Sequence, residues 1–467
     1  MAFYLFTFLL VTAASIWLAL RITPLQTVSA AGQTAQVGAT LPNASIKGPG
    51  ELDLFGQTMP TKPQFTGPIR PKLALEHITI DPEVVQMLRA VGPQKVELTL
   101  SQQLAAAWER YFLWETLIAV GFAAVPLIAV AAVRKRPAIW KMVVAGVGVV
   151  CLVNVGGILL TASSTPRVLR SVRTLDDLVG VDQISEPVPA GAPEPGVQAV
   201  VIGDSTASGW GLPWGPSPSP LDKACGRSPD AYANDLAAAN NWNVLNLACG
   251  SATIKDGLLG PEVLSGGQVA APQLNQAEAA THAKVIIVSV GADDLEWSVM
   301  TRLCAATTVC NDKVSSAYFN QLLNSFIRNY YELLSDLVKL PGHPAVLVNE
   351  YYSPFGSSIG CLTEYGMTPA KEQVLLSRLG QLNTVLAQGA RAFGFGVAKP
   401  QFTGHELCTA DPYVQGPGDP APMHPNAPGD LAIALADEQA LSTLSPSPVV
   451  QSTPSPSASA TPESALG

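Results

Sequence analysis

The sequence predicts an α/β fold, a three-layer α/β/α sandwich around a parallel sheet in residues 197–443, preceded by three transmembrane helices. Two observations predict the sandwich: short β-rich apolar runs alternate with helical stretches, and the runs are continuously apolar, as strands covered on both faces are. A third predicts the spans. Charged residues make up 13% of the 467-residue chain and apolar ones 48%, and the excess is concentrated in long uncharged stretches before residue 163.

The first such stretch, Ala2 to Leu20, has no charge, and Met142 to Ala162 is apolar apart from Asn154 and Thr161. Each is long enough as a helix to cross about 30 Å of hydrocarbon. A further one runs from Thr116 to Val133, with Trp108, Tyr111 and Trp114 placed as a headgroup belt and Glu115 where the segment meets water. The boundaries are 1–21, 112–133 and 139–162 for the spans. A cleaved signal peptide is the alternative for the first, but it lacks a basic start, and Val28-Ser29-Ala30 lies far beyond the apolar run.

Arg134, Lys135, Arg136 and Lys141 crowd the loop between the later spans, and short basic loops stay cytoplasmic. That predicts a multi-pass cell-membrane protein whose residues beyond Ala162 are extracytoplasmic, although Arg167, Arg170 and Arg173 run against the rule. Cysteine usage agrees with the outside placement. Cys151 lies in the last span, whereas Cys225, Cys249, Cys304, Cys310, Cys361 and Cys408 all fall in one domain, an even set that suggests disulfides. Zinc has less support, since no Cys-x-x-Cys occurs and the five histidines are scattered; the expectation is no metal and no cofactor.

Between the first two spans, residues 22–111 are rich in Pro, Gly and Thr with alternating runs such as Leu73 to Ile80, which predicts small β structure outside the membrane. Residues 163–196, ending in the Pro- and Gly-rich Glu186 to Gly196, predict a semi-stiff linker, and the Ser/Pro-rich residues 444–467 predict a disordered tail. Within 197–443, Val197 to Ile202, Val244 to Leu247, Lys284 to Val290 and Ala345 to Asn349 read as strands. Asp230 to Asn240, Ala317 to Lys339, Pro369 to Phe393 and Pro428 to Leu441 read as helices. A formal charge of -9, with no basic cluster among aromatics outside one short loop, excludes nucleic acid as a partner.

In a parallel sheet, ligands bind at the carboxyl ends of the strands. After the first strand comes Gly203-Asp204-Ser205, then Gly209 four residues on: a serine exposed at a strand end, with main-chain N–H groups nearby, is placed as a nucleophile would be. With Asn246-Leu247-Ala248-Cys249-Gly250 and Met423-His424-Pro425-Asn426 in the same order along roughly 250 residues, the domain resembles the SGNH or GDSL hydrolase superfamily, in particular secreted lipases and esterases of actinobacteria. The resemblance implies Ser205 as nucleophile, His424 as general base and Gly250 as an oxyanion donor. It also implies the pairs Cys225 with Cys249, Cys304 with Cys310, and Cys361 with Cys408.

Two positions depart from the family pattern. Gly291-Ala292-Asp293-Asp294 carries an acid where an amide donor is expected, so Asp293 is a protonated donor of the oxyanion hole, leaves the task to another donor, or only tethers its loop. Three residues before His424, where an acid normally orients the imidazole, stands Ala421; its carbonyl is the preferred substitute, with Asp419 the other candidate, which makes a Ser-His dyad. Among other histidines, His77 lies outside the domain, His282 and His343 precede strands, and His405 is the rival base near Cys408 and Asp411. Trp210, Trp214, Trp297, Tyr351 and Tyr352 follow strand ends and line a pocket or pack. The expected function is a membrane-anchored serine ester hydrolase acting on a small-molecule, lipid or glycan ester. The alternatives are an envelope acyltransferase on the same fold and an inactive binding module.

Overall fold

The computed structural model describes residues 2–30, 33–41, 45, 47–67, 69–78, 93–134, 141, 144–152, 155–156 and 194–444. Two helices, α1 (Ala2–Ile22) and α2 (Pro93–Arg134), flank an antiparallel β region in the sequence. Ile16, Ala19 and Leu20 of α1 cluster with Tyr111, Phe112 and Ala119 of α2. The first expected span coincides with α1 and the second with the later part of α2, while most of the third lies outside the described residues. Among the described residues, no helix is long and apolar enough to cross a membrane, so the three spans are not supported by the structure. Most of the linker and the tail also lie outside the described residues.

Residues 26–78 form five strands, β1 (Gln26–Ala30), β2 (Gln33–Thr40), β3 (Lys47–Leu54), β4 (Gln57–Thr66) and β5 (Arg70–Ile78), in the order β1-β2-β5-β3-β4. All neighbours are antiparallel except β3 and β5. Every second residue of β3 is buried, the alternation expected of a sheet with one covered face. The β3–β4 turn, Phe55-Gly56, has both residues at positive φ (55° and 73°), the conformation that a tight two-residue hairpin demands. Phe55 is buried, edge-on to Tyr330 and Phe393 at 5.8 and 6.4 Å between ring centres. A Cβ on Gly56 would stand 2.5 Å from the Gln388 side chain, so the hairpin tip is seated directly on the following domain.

That domain contains β6 (Ala199–Gly203), α3 (Ser205–Ser208), α4 (Pro220–Cys225), α5 (Tyr232–Asn240), β7 (Val244–Asn246), the short pair β8 (Glu262–Val263) and β9 (Val269–Ala270), and α6 (Gln273–Ala279). It continues with β10 (Val285–Ser289), α7 (Trp297–Ala306), α8 (Lys313–Leu337), β11 (Ala345–Asn349), α9 (Pro369–Ala392), β12 (Gly396–Ala398) and α10 (Ala427–Thr443). The main sheet runs β12-β11-β10-β6-β7 and is parallel throughout. All five residues of β6 and of β10 are buried, so both faces are covered. In domain order the strands run 2-1-3-4-5, which places the topological switch point between β6 and β10, where ligands bind in such sheets.

The four expected strands and four expected helices are present with ends moved by a few residues; β12 was not expected. The three disulfides join Cys225 to Cys249, Cys304 to Cys310 and Cys361 to Cys408, the pairing the family resemblance implied.

Candidate active site

At the end of β6, Gly203 donates its N–H to Gln273 Oε1 at 2.7 Å, and a Cβ there would lie 2.1 Å from the Ser289 carbonyl of β10. Only glycine permits that approach of two strands. Asp204 caps α3, accepting from the Thr206 N–H at 3.0 Å, and its other oxygen accepts from the Tyr351 hydroxyl. The helix stops after one turn because Gly209 takes the left-handed conformation, φ 75°. Ser205 therefore stands on a short, fully buried turn at the switch point.

His424 arrives from the far end of the chain on a turn that Met423 makes at φ 74°. Its Nε2 lies 2.9 Å from Ser205 Oγ, hydrogen-bond distance for proton transfer. Nδ1 donates to the Pro422 carbonyl at 3.2 Å, which fixes the tautomer with Nε2 as acceptor. The sequence reading placed this acceptor on the Ala421 carbonyl, which acts on the imidazole beside that of Pro422 and also accepts the main-chain N–H of His424 at 3.2 Å. Asp419 is not in place. Its carboxylate turns back to the Gly416 N–H at 2.6 Å. Burial lowers the His424 pKa below its ordinary 6.5, opposed by the carbonyls of Pro422 and Ala421, so the imidazole is a neutral base at neutral pH.

Gly250 corrects a second expectation. Its N–H donates to the Cys225 carbonyl at 2.9 Å and is not free for an oxyanion. The glycine is required for another reason: a Cβ would sit 2.3 Å from the Trp210 ring. The Ser205 N–H opens the helix and has no intrahelical partner, so it is available as a donor. Asp293 follows β10 on the same rim, with Oδ2 buried and unpartnered. His405, the rival base, donates from Nδ1 to the Asp411 carbonyl at 2.8 Å and stacks on Tyr413 at 3.9 Å, and Ser205 Oγ is paired with His424 instead. Among the described residues, no group of His, Cys, Asp and Glu could hold a metal ion.

Residues 201–431 match the GDSL-like Lipase/Acylhydrolase family. Lipase 1 of Streptomyces coelicolor is 30% identical over 223 residues, covering 46% of this chain and 74% of the relative. The chain belongs to that family. A lipase of Streptomyces rimosus is 25% identical over 247 residues, 50% of this chain and 84% of its own length. The crystal structure of the extracellular lipase from Streptomyces rimosus is similar to 52% of the chain over 99% of its own, with a TM-score of 0.42 and 19% identity. The protein is an ester hydrolase of the GDSL type.

Three residues support this GDSL site in ways the sequence does not announce, and one of them, Gln415, escaped the sequence reading altogether. Gln415, buried in a Pro/Gly loop, accepts from the Ala421 N–H at 3.1 Å and donates to Trp210 O at 3.0 Å and Pro425 O at 2.9 Å, tying the histidine turn to the segment after the nucleophile. Tyr352 donates to Met423 O at 2.8 Å. Tyr351 holds Asp204 and accepts the Ala292 N–H at 2.9 Å, joining the loops after β6 and β10. Both tyrosines were expected to line a pocket or pack. The only signal for their role was their place at a strand end.

Proposed function

We propose that this GDSL hydrolase is anchored in a membrane, faces the extracytoplasmic side, and cleaves acyl esters of envelope lipids or glycans through a Ser205–His424 dyad. One observation carries the chemistry: His424 Nε2 stands 2.9 Å from Ser205 Oγ while Nδ1 is engaged by a carbonyl. Ser205 Oγ attacks the ester carbonyl as His424 takes its proton. The tetrahedral intermediate collapses, His424 returns the proton to the leaving alcohol, and water repeats the sequence on the acyl-serine. The Ser205 N–H faces the developing oxyanion. A neutral carbonyl behind the imidazole stabilises its cation less than a carboxylate does, and no carboxylate among the described residues bonds Nδ1.

The location has its own support. Three disulfides within one domain fit an oxidising compartment, and the uncharged stretches before residue 163, with the basic loop from Arg134 to Lys141, fit a multi-pass anchor. The full chain, solubilised in detergent, should hydrolyse p-nitrophenyl butyrate and react with a fluorophosphonate probe, and Ser205→Ala should abolish both. Full activity in that variant would move the nucleophile elsewhere. Maleimide labelling of the domain cysteines in intact cells should require a reductant; labelling without one would place the domain in a reducing compartment.

A further inference from the structure

Ser205 and His424 meet at the carboxyl ends of the parallel strands, and the N-terminal hairpin is seated at the opposite edge of the same sheet. Helix α9 follows β11 and leads into the parallel β12, so it runs against the strands and its last turns reach their amino-terminal edge. Phe55 packs on Phe393, just past α9, and Gly56 on Gln388 in its last turns. Tyr330, the other ring against Phe55, lies in the second half of α8, which descends from β10 to β11 in the same sense. From Gln388 back to Pro369, toward the catalytic rim, α9 rises roughly 29 Å.

The N-terminal helices lie beyond the far end of the antiparallel region. Leu54 pairs with Leu75 and Leu75 with Ala35, which puts the hairpin tip at the Gln33 end of β2. The helices meet the other end: Trp108 Nε1 donates to Gly38 O at 2.8 Å, and the Tyr111 hydroxyl lies 3.3 Å from Leu20 O and 3.4 Å from Ala39 O. From Ala35 to Gly38 the strand adds roughly 10 Å. Past Tyr111, α2 runs on beside α1, with Leu113, Trp114, Leu117 and Val125 exposed on α2 and Leu10 and Trp17 on α1. No charge falls between Thr116 and Val133, about 27 Å of helix, or between Ala2 and Leu20, while Arg21, Glu109 and Arg110 stand at the sheet end. Exposed apolar side chains over that uncharged length fit hydrocarbon, with the charges at the water side.

We propose that the N-terminal sheet is a spacer holding the catalytic rim roughly 40 Å from the helix pair and turned away from it, so that the enzyme cleaves acyl esters borne on glycans in the aqueous phase and not the lipids of the bilayer that holds its helices. This rests on the membrane-anchored Ser205–His424 reading. The acyl ester of a bilayer lipid lies where headgroup meets hydrocarbon, at the level where the uncharged helix length ends. Both sheets stand between that level and Ser205. The joint between them is packed and not hinged, because Phe55 is buried against two rings and β5 also touches α9. Bringing the rim down to the headgroups would require emptying that aromatic site.

The test places the full chain in phosphatidylcholine vesicles with a fluorophosphonate joined to a phospholipid headgroup through a Gly/Ser linker of four or of twenty-four residues, roughly 14 or 80 Å at full extension. A tethered group reacts only where its linker spans the distance. In vesicles the long probe should label Ser205 at least about tenfold faster than the short one, and in detergent, where both are free, the rates should be equal. Glucose pentaacetate added to the water should be hydrolysed roughly a hundredfold faster than the vesicle phosphatidylcholine. Equal labelling by the two probes in vesicles overturns the proposal, as does hydrolysis of the vesicle lipid at the rate of the sugar ester. If Ser205→Ala is still labelled, the dyad reading is lost, and if the chain fails to float with the vesicles, the anchor is lost; either takes the spacer role with it. Flotation, no labelling of Ser205→Ala and equal probe rates on the wild type would remove the spacer role alone.

Discussion

The two five-stranded sheets of this chain do different work because they are put together differently. In the parallel sheet every connection crosses over a face, so the strand ends meet loops that arrive from distant parts of the sequence, and Ser205, Asp293 and Tyr351 converge on one rim. In the N-terminal sheet, most neighbours are antiparallel, and the tight hairpin tip, Phe55-Gly56, together with part of β5, is what it presents to the other domain. The first arrangement concentrates chemistry, whereas the second provides attachment.

The sharpest way to break this contrast is to remove the nucleophile. Ser205→Ala should lower kcat by roughly 10⁴–10⁶-fold while leaving the hairpin contact intact, read by ester hydrolysis and by near-ultraviolet circular dichroism. If the hairpin tip serves attachment, Phe55→Ala should cost about 3–5 kcal/mol in denaturant unfolding, as emptying a buried aromatic site does, yet change kcat/KM less than about threefold. A large activity loss in the folded Phe55→Ala protein would mean that the two sheets are coupled in catalysis. Replacing both Cys225 and Cys249 by serine should cost about 2–4 kcal/mol and, unlike Phe55→Ala, also lower activity, because that disulfide underlies the Gly250 and Trp210 contact.

The smallest effect concerns α10. Asp437 is fully buried, with Oδ1 unpartnered and Oδ2 receiving the Asn349 amide at 3.4 Å, and burial raises its pKa well above 3.8. A carboxyl raised in the folded state binds its proton more tightly there than in the unfolded chain, so its contribution is favourable at low pH and is lost as pH rises from about 4 through the folded value. Asp437→Asn should flatten the fall of Tm between pH 5 and pH 8 and stabilise the chain at pH 8 by on the order of 1 kcal/mol. An unchanged slope would show that other groups set it.

What could be read from the residues follows the same division. Continuous apolar runs such as Val285–Ser289 announce a strand buried on both faces, and the helices between them carry their own periodicity and caps, so the sandwich was legible to within a few residues. The edge strand Gly396–Ala398 was not, since three residues beside glycines carry no period. Ser205 and His424 were legible from their motifs. The partner of the Gly250 N–H was not, because it depends on the Cys225 carbonyl reaching across a crosslink, nor was the part of the Pro422 carbonyl beside that of Ala421, which one residue of turn geometry decides. Phe55 read as one more apolar residue in an alternating run; nothing local says that it faces Tyr330 and Phe393.

Trp210 offers a use beyond packing. Its indole lies against Gly226 and Gly250, the neighbours of Cys225 and Cys249, while its main-chain N–H donates to the Ser205 carbonyl at 3.1 Å and its main-chain carbonyl accepts from Gln415. A nearby sulfur–sulfur bond quenches indole emission, so this ring is a native fluorophore wired to both the redox state of the crosslink and the occupancy of the neighbouring crevice. The chain has eight tryptophans, so brightening on reduction and a spectral shift on acylation are assigned to this ring by their loss in Trp210→Phe, and no label has to be added to record them.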